Sequence, residues 1–274
     1  MALHVIKENE IPYEIKEKTT NSKKVLVIGD GCSDIFRYGK CERLSPEAPV
    51  PVFLPSRTTG NGGMALNVAE NLNALGIECD VMTNDIRPVK TRYVDEISNQ
   101  MLLRVDEKDS IAPITQKDLE FFNLENYVAV VISDYNKGYL SPDDIKWLSE
   151  NHPLTFMDSK KELGWWCQDI KFLKINDKEF KRNEDYLRNY YNGNLIVTKG
   201  KDGAVLNCND KFPIEREHDV RDLSGAGDTF LAALVAKYIE NNDIYEAIKF
   251  ANRCAAWVVT QKGVVVVDLD KIEL

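Results

Sequence analysis

Residues 24–30 read Lys-Val-Leu-Val-Ile-Gly-Asp. An unbroken run of β-branched and other apolar residues that ends in glycine is typical of a buried parallel strand leading into a loop at its carboxyl end. Four similar runs, each ending near polar residues, occur at residues 128–132, 154–157, 172–175 and 195–198. Their repetition predicts a central sheet of mostly parallel strands.

Amphipathic segments lie between several of these runs. Residues 66–75, 142–150 and 177–189 carry apolar side chains three and four positions apart, which predicts helices that each bury one face. Strands that alternate with helices predict an α/β fold in which helices cover both faces of a mostly parallel sheet.

Two stretches interrupt this alternation. Residues 38–59 contain four prolines, and residues 89–106 alternate in the manner of exposed strands. Both are expected in a small β lid at the mouth of the sheet, where ligands of such folds bind. The predicted organisation is a flexible N-terminal extension at residues 1–22, followed by one domain at residues 23–274. The expected core segments of that domain are residues 23–37, 60–88 and 107–274.

The composition limits the class of partner. The 274 residues are 43% apolar, and 44 acidic against 35 basic residues give a formal charge of -9. This acidic excess disfavours nucleic acid and anionic membranes. The six cysteines are scattered without a Cys-x-x-Cys pair, and no apolar run reaches the ~20 residues of a membrane span. We therefore expect a cytoplasmic protein with reduced thiols and with neither a nucleic-acid nor a membrane partner.

Residues 222–230 read DLSGAGDTF, and an apolar helix pattern follows them. Small residues before a helix, here Gly225, Ala226 and Gly227, let backbone N–H groups approach an anion, and the helix dipole adds positive charge. Phosphoryl transfer needs such stabilisation beside a base for the attacking hydroxyl, and Asp228 is placed to be that base. The motif alone is equally typical of an ordinary helix start after a turn.

The wider sequence resembles the ribokinase/PfkB family of carbohydrate kinases. The family's carboxyl-terminal motif, D-T-x-G-A-G-D, stands here as DLSGAGD, in which Ser224 keeps a hydroxyl and is a candidate on the nucleotide side. The resemblance implies a ribokinase-like three-layer α/β/α fold, ATP and Mg²⁺ as cofactors, and Asp228 as the base of a sugar kinase.

The resemblance also implies a sugar site near the amino terminus. Residues 62–69, Gly-Gly-Met-Ala-Leu-Asn-Val-Ala, resemble the family element whose glycines, here Gly62 and Gly63, let a sugar lie against the backbone. Asn67 would bind a sugar hydroxyl, with helix capping or packing as the alternative. Two aspartates follow the first strand: Asp34 matches the family's sugar-binding residue, whereas Asp30 is the weaker candidate because it is equally suited to a turn.

The implied nucleotide side comes from later strands. Asn176 and Glu179 match the family's N-x-x-E element, in which Glu179 would act on Mg²⁺ through water. The expected nucleotide loop consists of Thr198, Lys199, Gly200 and Gly203. Asn252 would border the adenine, with a surface or packing role as the alternative. Residues 260–267 resemble a loop that, in some relatives, helps the residues at the positions of Asp222 and Ser224 to hold a monovalent cation such as K⁺. The polar ligand expected late in that loop is not obvious here.

Within the family, the likeness is greatest to kinases of D-glycero-D-manno-heptose 7-phosphate. Residues 44–52, Leu-Ser-Pro-Glu-Ala-Pro-Val-Pro-Val, look like the lid of these kinases, which act at the anomeric hydroxyl on the way to activated heptose for surface polysaccharide. A phosphorylated substrate needs cations, and the lid candidates are Lys90, Arg92 and Arg104. Candidates after predicted strands are Asp134 and Lys137 for the substrate and Lys160 for the cofactor. Ordinary solvated charges are the alternative for the cations.

Two departures qualify this likeness. The chain passes from Asp85 almost directly into Pro88, where relatives carry a further helix and strand of on the order of thirty residues. The histidines also lack the HxGH motif of the nucleotidyltransferase to which many heptose kinases are fused, so we expect kinase chemistry alone.

Three alternatives to the heptose assignment follow from the sequence. The first is a kinase of another sugar, sugar phosphate or nucleoside, and the second is a catalytically silent sugar- or nucleotide-binding protein. A Rossmann oxidoreductase is disfavoured because the glycine spacing after residue 31 does not continue. Exposed lid strands favour a homodimer paired through the lid.

Overall fold

A computed structural model describes residues 24–107, 110–215 and 219–272. The expected extension at residues 1–22 lies outside the described residues. In chain order, the strands are β1 (Lys24–Gly29), β2 (Gly31–Leu44), β3 (Pro51–Met64), β4 (Cys79–Met82), β5 (Val89–Asp95), β6 (Met101–Glu107), β7 (Tyr127–Asp134), β8 (Thr155–Ser159), β9 (Phe172–Asn176), β10 (Asn194–Thr198), β11 (Ala204–Leu206) and β12 (Asp210–Phe212). The helices are α1 (Ala65–Ala74), α2 (Gln116–Phe121), α3 (Pro142–Asn151), α4 (Asp177–Asn189), α5 (Ala226–Asn241) and α6 (Ile244–Val258).

The main sheet has the order β12-β11-β10-β9-β8-β7-β1-β4. From β10 to β4 all neighbouring strands are parallel. At the other end of the sheet, β11 pairs antiparallel with β10, and β12 pairs antiparallel with β11. The first strand shows why both faces are covered: Val25 and Val27 join the core under α1, α5 and α6, while Leu26 and Ile28 join the core under α3 and α4. The expected α/β class, with helices on both faces of a mostly parallel sheet, is confirmed.

A second sheet, which we call the lid, has the order β3-β2-β5-β6. Strands β2 and β3 pair antiparallel from Gly31 opposite Met64 to Leu44 opposite Pro51. The lid strands therefore extend beyond the borders expected at residues 38 and 59. The glycine-rich residues 60–63 have the composition of a loop, but pairing with β2 holds them extended.

The lid joins the core beside β4, the last strand of the main sheet. Six residues separate β4 from β5, and the Asn84 side chain orders them. Its Oδ1 accepts from the Gly31 backbone N–H at 2.7 Å, and its Nδ2 donates to the backbone oxygens of Gly31 and Ile86 at 3.1 and 2.8 Å. A side-chain amide therefore bridges backbone groups at the root of the lid.

Candidate active site

The glycine turn before α5 is shaped by close neighbours. Gly225 caps the helix in the left-handed conformation, with φ at +80°, which favours glycine. A Cβ at Gly227 would lie 3.0 Å from Nζ of Lys174. The free N–H groups of the first helical turn and the positive end of the helix dipole are at this point. The turn therefore suits an anionic group, as its sequence predicts.

Asp228 lies in the first turn of α5 and is 5% exposed. Its Oδ2 accepts from Nδ2 of Asn67 at 2.9 Å, and its Oδ1 accepts from the hydroxyl of Tyr135 at 2.6 Å. Burial raises the pKa of the Asp228 carboxyl, and these two hydrogen bonds oppose that rise. A buried carboxylate with a raised pKa is a suitable acceptor for a hydroxyl proton.

The sugar-side candidates converge on the same crevice. Asp34, on β2, is 8% exposed and accepts from Nη1 of Arg92 at 2.5 Å. A Cβ at Gly63 would lie 2.6 Å from Sγ of Cys32 and 3.1 Å from Oδ2 of Asp34, so glycine permits the close approach. Lys90 pairs with Asp34 in the strand register and is 8% exposed. The lid thus places two cations beside the aspartate.

Asp30 and Asp134, two other candidates from the sequence, accept hydrogen bonds from the backbone of the loop after β7. The Asp30 carboxylate accepts backbone N–H bonds from Tyr135 and Lys137 at 2.7 and 3.1 Å on Oδ2, and from Tyr139 at 3.2 Å on Oδ1. Asp134 lies 2.5 Å from both Nζ of Lys161 and the hydroxyl of Ser159. Asp30 and Asp134 are 1% exposed. Both carboxylates therefore order this loop, which carries the half-buried Lys137.

A row of buried charges connects the glycine turn with the start of α4. Lys174 Nζ lies 2.5 Å from Oδ2 of Asp158, and Lys160 Nζ lies 3.1 Å from Oδ1 of the same carboxylate. Lys160 also contacts Oε1 of Glu179 at 2.7 Å, and Glu179 forms a reciprocal capping box with Asn176. Burial alone would raise the pKa of Asp158, but the two lysines lower it.

A cavity of about 470 Å³ lies on the other side of the glycine turn. Its walls include much of the expected nucleotide loop, the turn itself and α6, through Thr198, Gly200, Gly203, Ala226, Gly227 and Asn252. Asn252 is also tied by its Nδ2 to the backbone oxygen of Phe212 at 2.8 Å. Lys199 instead contacts Asp177 at 3.4 Å. A larger cavity of about 820 Å³ on the outer side of α6 does not include the glycine turn among its lining residues.

The remaining polar candidates are arranged less tightly. Arg104 is exposed on β6 and is held by Asp106 through two hydrogen bonds of 2.7 and 2.8 Å. Asp222 accepts from the backbone N–H of Ser224 at 2.8 Å, which orders the residues before the turn. Within the described residues, no group of three or more His, Cys, Asp or Glu side chains is suited to hold a metal ion.

The donor set nevertheless fits Mg²⁺ as kinases hold it. Mg²⁺ keeps several waters and takes its other ligands from substrate phosphates and one or two carboxylates. Glu179 supplies such a carboxylate beside Lys160. Mg²⁺ bound there would neutralise charge on the phosphates of the nucleotide.

Tyr135, Asp158 and Lys174 were not assigned a role from the sequence, although the strings at residues 133–138 and 158–160, which contain Tyr135 and Asp158, resemble those of the heptose kinases. A usable signal existed for Lys174, because a lysine inside the apolar run at residues 172–175 of a parallel strand must be buried with a partner. For Tyr135 the only signal was the likeness of the string at residues 133–138, which assigned it no role, since a tyrosine after a strand is common in loops.

The fold and the family match place the chain in the class of α/β carbohydrate kinases. The chain belongs to the pfkB family of carbohydrate kinases, whose pattern matches residues 152–271. That range contains Asn176, Glu179 and the whole of α5.

Curated relatives support the family beyond that range. Bifunctional protein HldE from Helicobacter pylori strain J99 is 31% identical over 310 aligned residues, covering 92% of this chain and 66% of the relative. The relative of the same name from a Nitratiruptor species is 30% identical over 91% of this chain and 64% of its own length. The chain thus spans about two thirds of each relative, slightly less for the second. The 310 aligned positions exceed the 274 residues present here, in keeping with a segment that this chain lacks.

Solved structures show the same fold. Ribokinase from Thermotoga maritima superposes with a TM-score of 0.67 at 19% identity, over 88% of this chain and 94% of that chain. Phosphofructokinase-2 from Escherichia coli superposes with a TM-score of 0.65 at 16% identity, over 91% of this chain and 96% of that chain.

Among the described residues of this chain, no helix is both long and apolar enough to cross a membrane.

Proposed function

We propose that this chain transfers the γ-phosphoryl group of ATP to a hydroxyl of a sugar phosphate, with Asp228 as the base. The observation that carries the proposal is the position of the Asp228 carboxylate. It is buried between Asn67 and Tyr135 at the start of α5, and the glycine turn beside it borders the cavity of nucleotide size.

In this proposal the residues have separate tasks. The sugar lies between Asp34, Asn67 and Asp228 under the lid, and the nucleotide lies along the loop after β10. Asp228 accepts the proton of the attacking hydroxyl, while the first N–H groups of α5 face the transferred phosphoryl group. Lys174 adds positive charge beneath the turn. Most of the catalysis is then positioning and charge stabilisation.

The substrate we propose is D-glycero-D-manno-heptose 7-phosphate, phosphorylated at its anomeric hydroxyl. The support is the lid string at residues 44–52, the relatives named HldE, and the cations Lys90, Arg92 and Arg104 on adjacent lid strands. A guanidinium can grip a phosphate with two hydrogen bonds, which suits the phosphate that the substrate already carries.

Arg104, the most exposed of the three lid cations, gives a test of this substrate. Arg104→Ala is expected to raise KM for heptose 7-phosphate by roughly tenfold or more, because a charge-assisted contact with the distal phosphate is lost. KM for ATP should stay within about twofold. Initial rates with each substrate varied measure both constants. Arg43→Ala, at the exposed end of β2, is the matched control, and an unchanged KM for the sugar would refute the phosphate contact.

One screen separates the candidate functions. ATP consumption is measured with heptose 7-phosphate, fructose phosphates, ribose and nucleosides as acceptors, and Asp228→Asn serves as the blank. Preference for another acceptor would reassign the substrate within the family. Binding of sugar and ATP without turnover would support a catalytically silent protein.

We also propose a homodimer through the lid, in a cytoplasmic enzyme. Large apolar side chains are exposed along the lid strands, among them Leu44, Leu54, Met101 and Leu103. Exposed edge strands with such side chains tend to pair with another chain. A sedimentation experiment with Leu54→Lys, which charges this surface, tests whether the lid carries the contact.

A further inference from the structure

The hydroxyl of Tyr135 is the nearest side-chain donor to the proposed base. It lies 2.6 Å from Oδ1 of Asp228, a shorter separation than the 2.9 Å between Asn67 and Oδ2. Each oxygen of the carboxylate thus has its own donor, one from α1 and one from the loop after β7. A carboxylate oxygen has two acceptor positions, so Oδ1 keeps one for a substrate hydroxyl.

Tyr135 is itself held from two directions. Its backbone N–H donates to the buried Asp30 carboxylate at 2.7 Å, and its ring centroid lies 5.5 Å from Nζ of Lys160. The pKa of its phenol is raised well above the usual value by burial and by the charges of Asp228 and Asp158. The phenol therefore stays protonated and acts as the donor in this pair.

The groups facing Asp228 explain why a donor matters there. The Asp158 carboxylate on β8 disfavours a negative charge at Asp228, and the Lys174 ammonium on β9 favours it. The Cys32 thiol on β2 also faces Asp228; its own pKa is raised by burial and by the Asp34 and Asp228 carboxylates, so it stays neutral. Burial raises the pKa of Asp228 further. A protonated carboxyl cannot accept a proton, so the hydrogen bonds from Tyr135 and Asn67 preserve the reactive form.

We propose that Tyr135 is a positioning residue that fixes and stabilises the Asp228 carboxylate through the hydrogen bond to Oδ1, and that Asp30 holds Tyr135 in place for this task. The assignment rests on the proposed role of Asp228 as the base. It gives a function to the aspartate that directly follows β1, since that carboxylate orders the loop carrying the tyrosine.

The test is Tyr135→Phe, which keeps the ring and removes the donor. The titration of Asp228 is followed by NMR of protein containing aspartate labelled with ¹³C at the carboxyl carbon, and Asp228→Asn identifies the signal. We expect the pKa of Asp228 to rise by about one unit. The acid limb of the kcat/KM profile should move upward equally, with little change in KM for ATP.

The control is Tyr139→Phe, which removes the hydroxyl of a buried tyrosine in the same loop that does not contact Asp228. It should shift neither the titration nor the pH profile. Incorporation of 3-fluorotyrosine at position 135, a stronger donor of nearly the same shape, should lower the pKa of Asp228 and keeps the proposal testable if the phenylalanine variant does not fold.

An Asp228 titration that is the same in wild type and in both position-135 variants would overturn the proposal. Absence of sugar-dependent ATP consumption by the wild type would instead refute the kinase assignment. The NMR titration still decides the role of Tyr135 in that case, so the two failures are distinguishable.

Discussion

Asp228→Asn is expected to lower kcat by roughly 10²–10⁴, the usual contribution of a general base. Asparagine has nearly the same shape as aspartate but cannot accept the proton of the attacking hydroxyl. The carboxylate faces the sugar crevice between Asn67 and Tyr135, whereas the cavity proposed for ATP is lined by neighbouring residues. The affinity for ATP should therefore remain largely unchanged.

Steady-state rates with a saturating acceptor give kcat, and calorimetric titration gives the affinity for ATP. Asp185→Asn, an exposed substitution on α4, is the matched control and should leave both unchanged. Turnover near the wild-type rate in Asp228→Asn would show that the proton leaves by another route, and Asp228 would then be a structural residue.

Lys174→Met is expected to lower the free energy of unfolding by about 3–5 kcal/mol. The side chains of Lys174 and Asp158 are 3% and 4% exposed, and their charges lie 2.5 Å apart. Removing the ammonium leaves a buried carboxylate whose remaining cation, Lys160, is shared with Glu179. Denaturant unfolding of the protein without ligands measures the loss.

The double variant Lys174→Met with Asp158→Asn should recover part of this stability, because no unpaired charge is then buried. Lys171→Met, at an exposed position just before β9, is the matched control. The lowered pKa of Asp158 sets the pH dependence. The stability from this pair is present above the ordinary pKa of an aspartate and is lost as the pH falls through the lowered value. The difference between wild type and Lys174→Met should therefore shrink in acid, and a loss below ~1 kcal/mol at neutral pH would contradict the argument.

The elements of the core follow from local sequence signals. Strand β9 begins at Phe172 as its apolar run predicts, and α4 spans the same residues, 177–189, as its periodicity indicates. These signals are strong because burial requires apolar residues all along the element: at nearly every position of a parallel strand that is covered on both faces, and at every third or fourth position of a helix that is covered on one face. The lid border is different, since glycines at residues 60–63 adopt a strand only because β2 supplies partners.

The residues of the candidate site that could be predicted from the sequence are those that lie within a recognised motif. Asp228, Asn67 and Asp34 were predicted in this way; in the structure Asn67 donates to Asp228 at 2.9 Å, and Asp34 lies on the lid strand β2. The hydrogen bond between Tyr135 and Asp228 joins residues 93 positions apart in the chain. No local pattern records such a contact, so it emerges only when β7 and α5 are packed in the same fold.

The position of β4 beside the lid has a consequence for how the protein avoids unwanted association. Among the described residues β4 is an outer strand of the main sheet, and such strands can template the addition of another chain. Strand β4 is only four residues long and carries Asp80, whose carboxylate contacts Lys24 at 3.1 Å and the hydroxyl of Tyr127 at 2.9 Å. Its shortness and its charged side chain therefore disfavour aggregation at this edge of the main sheet.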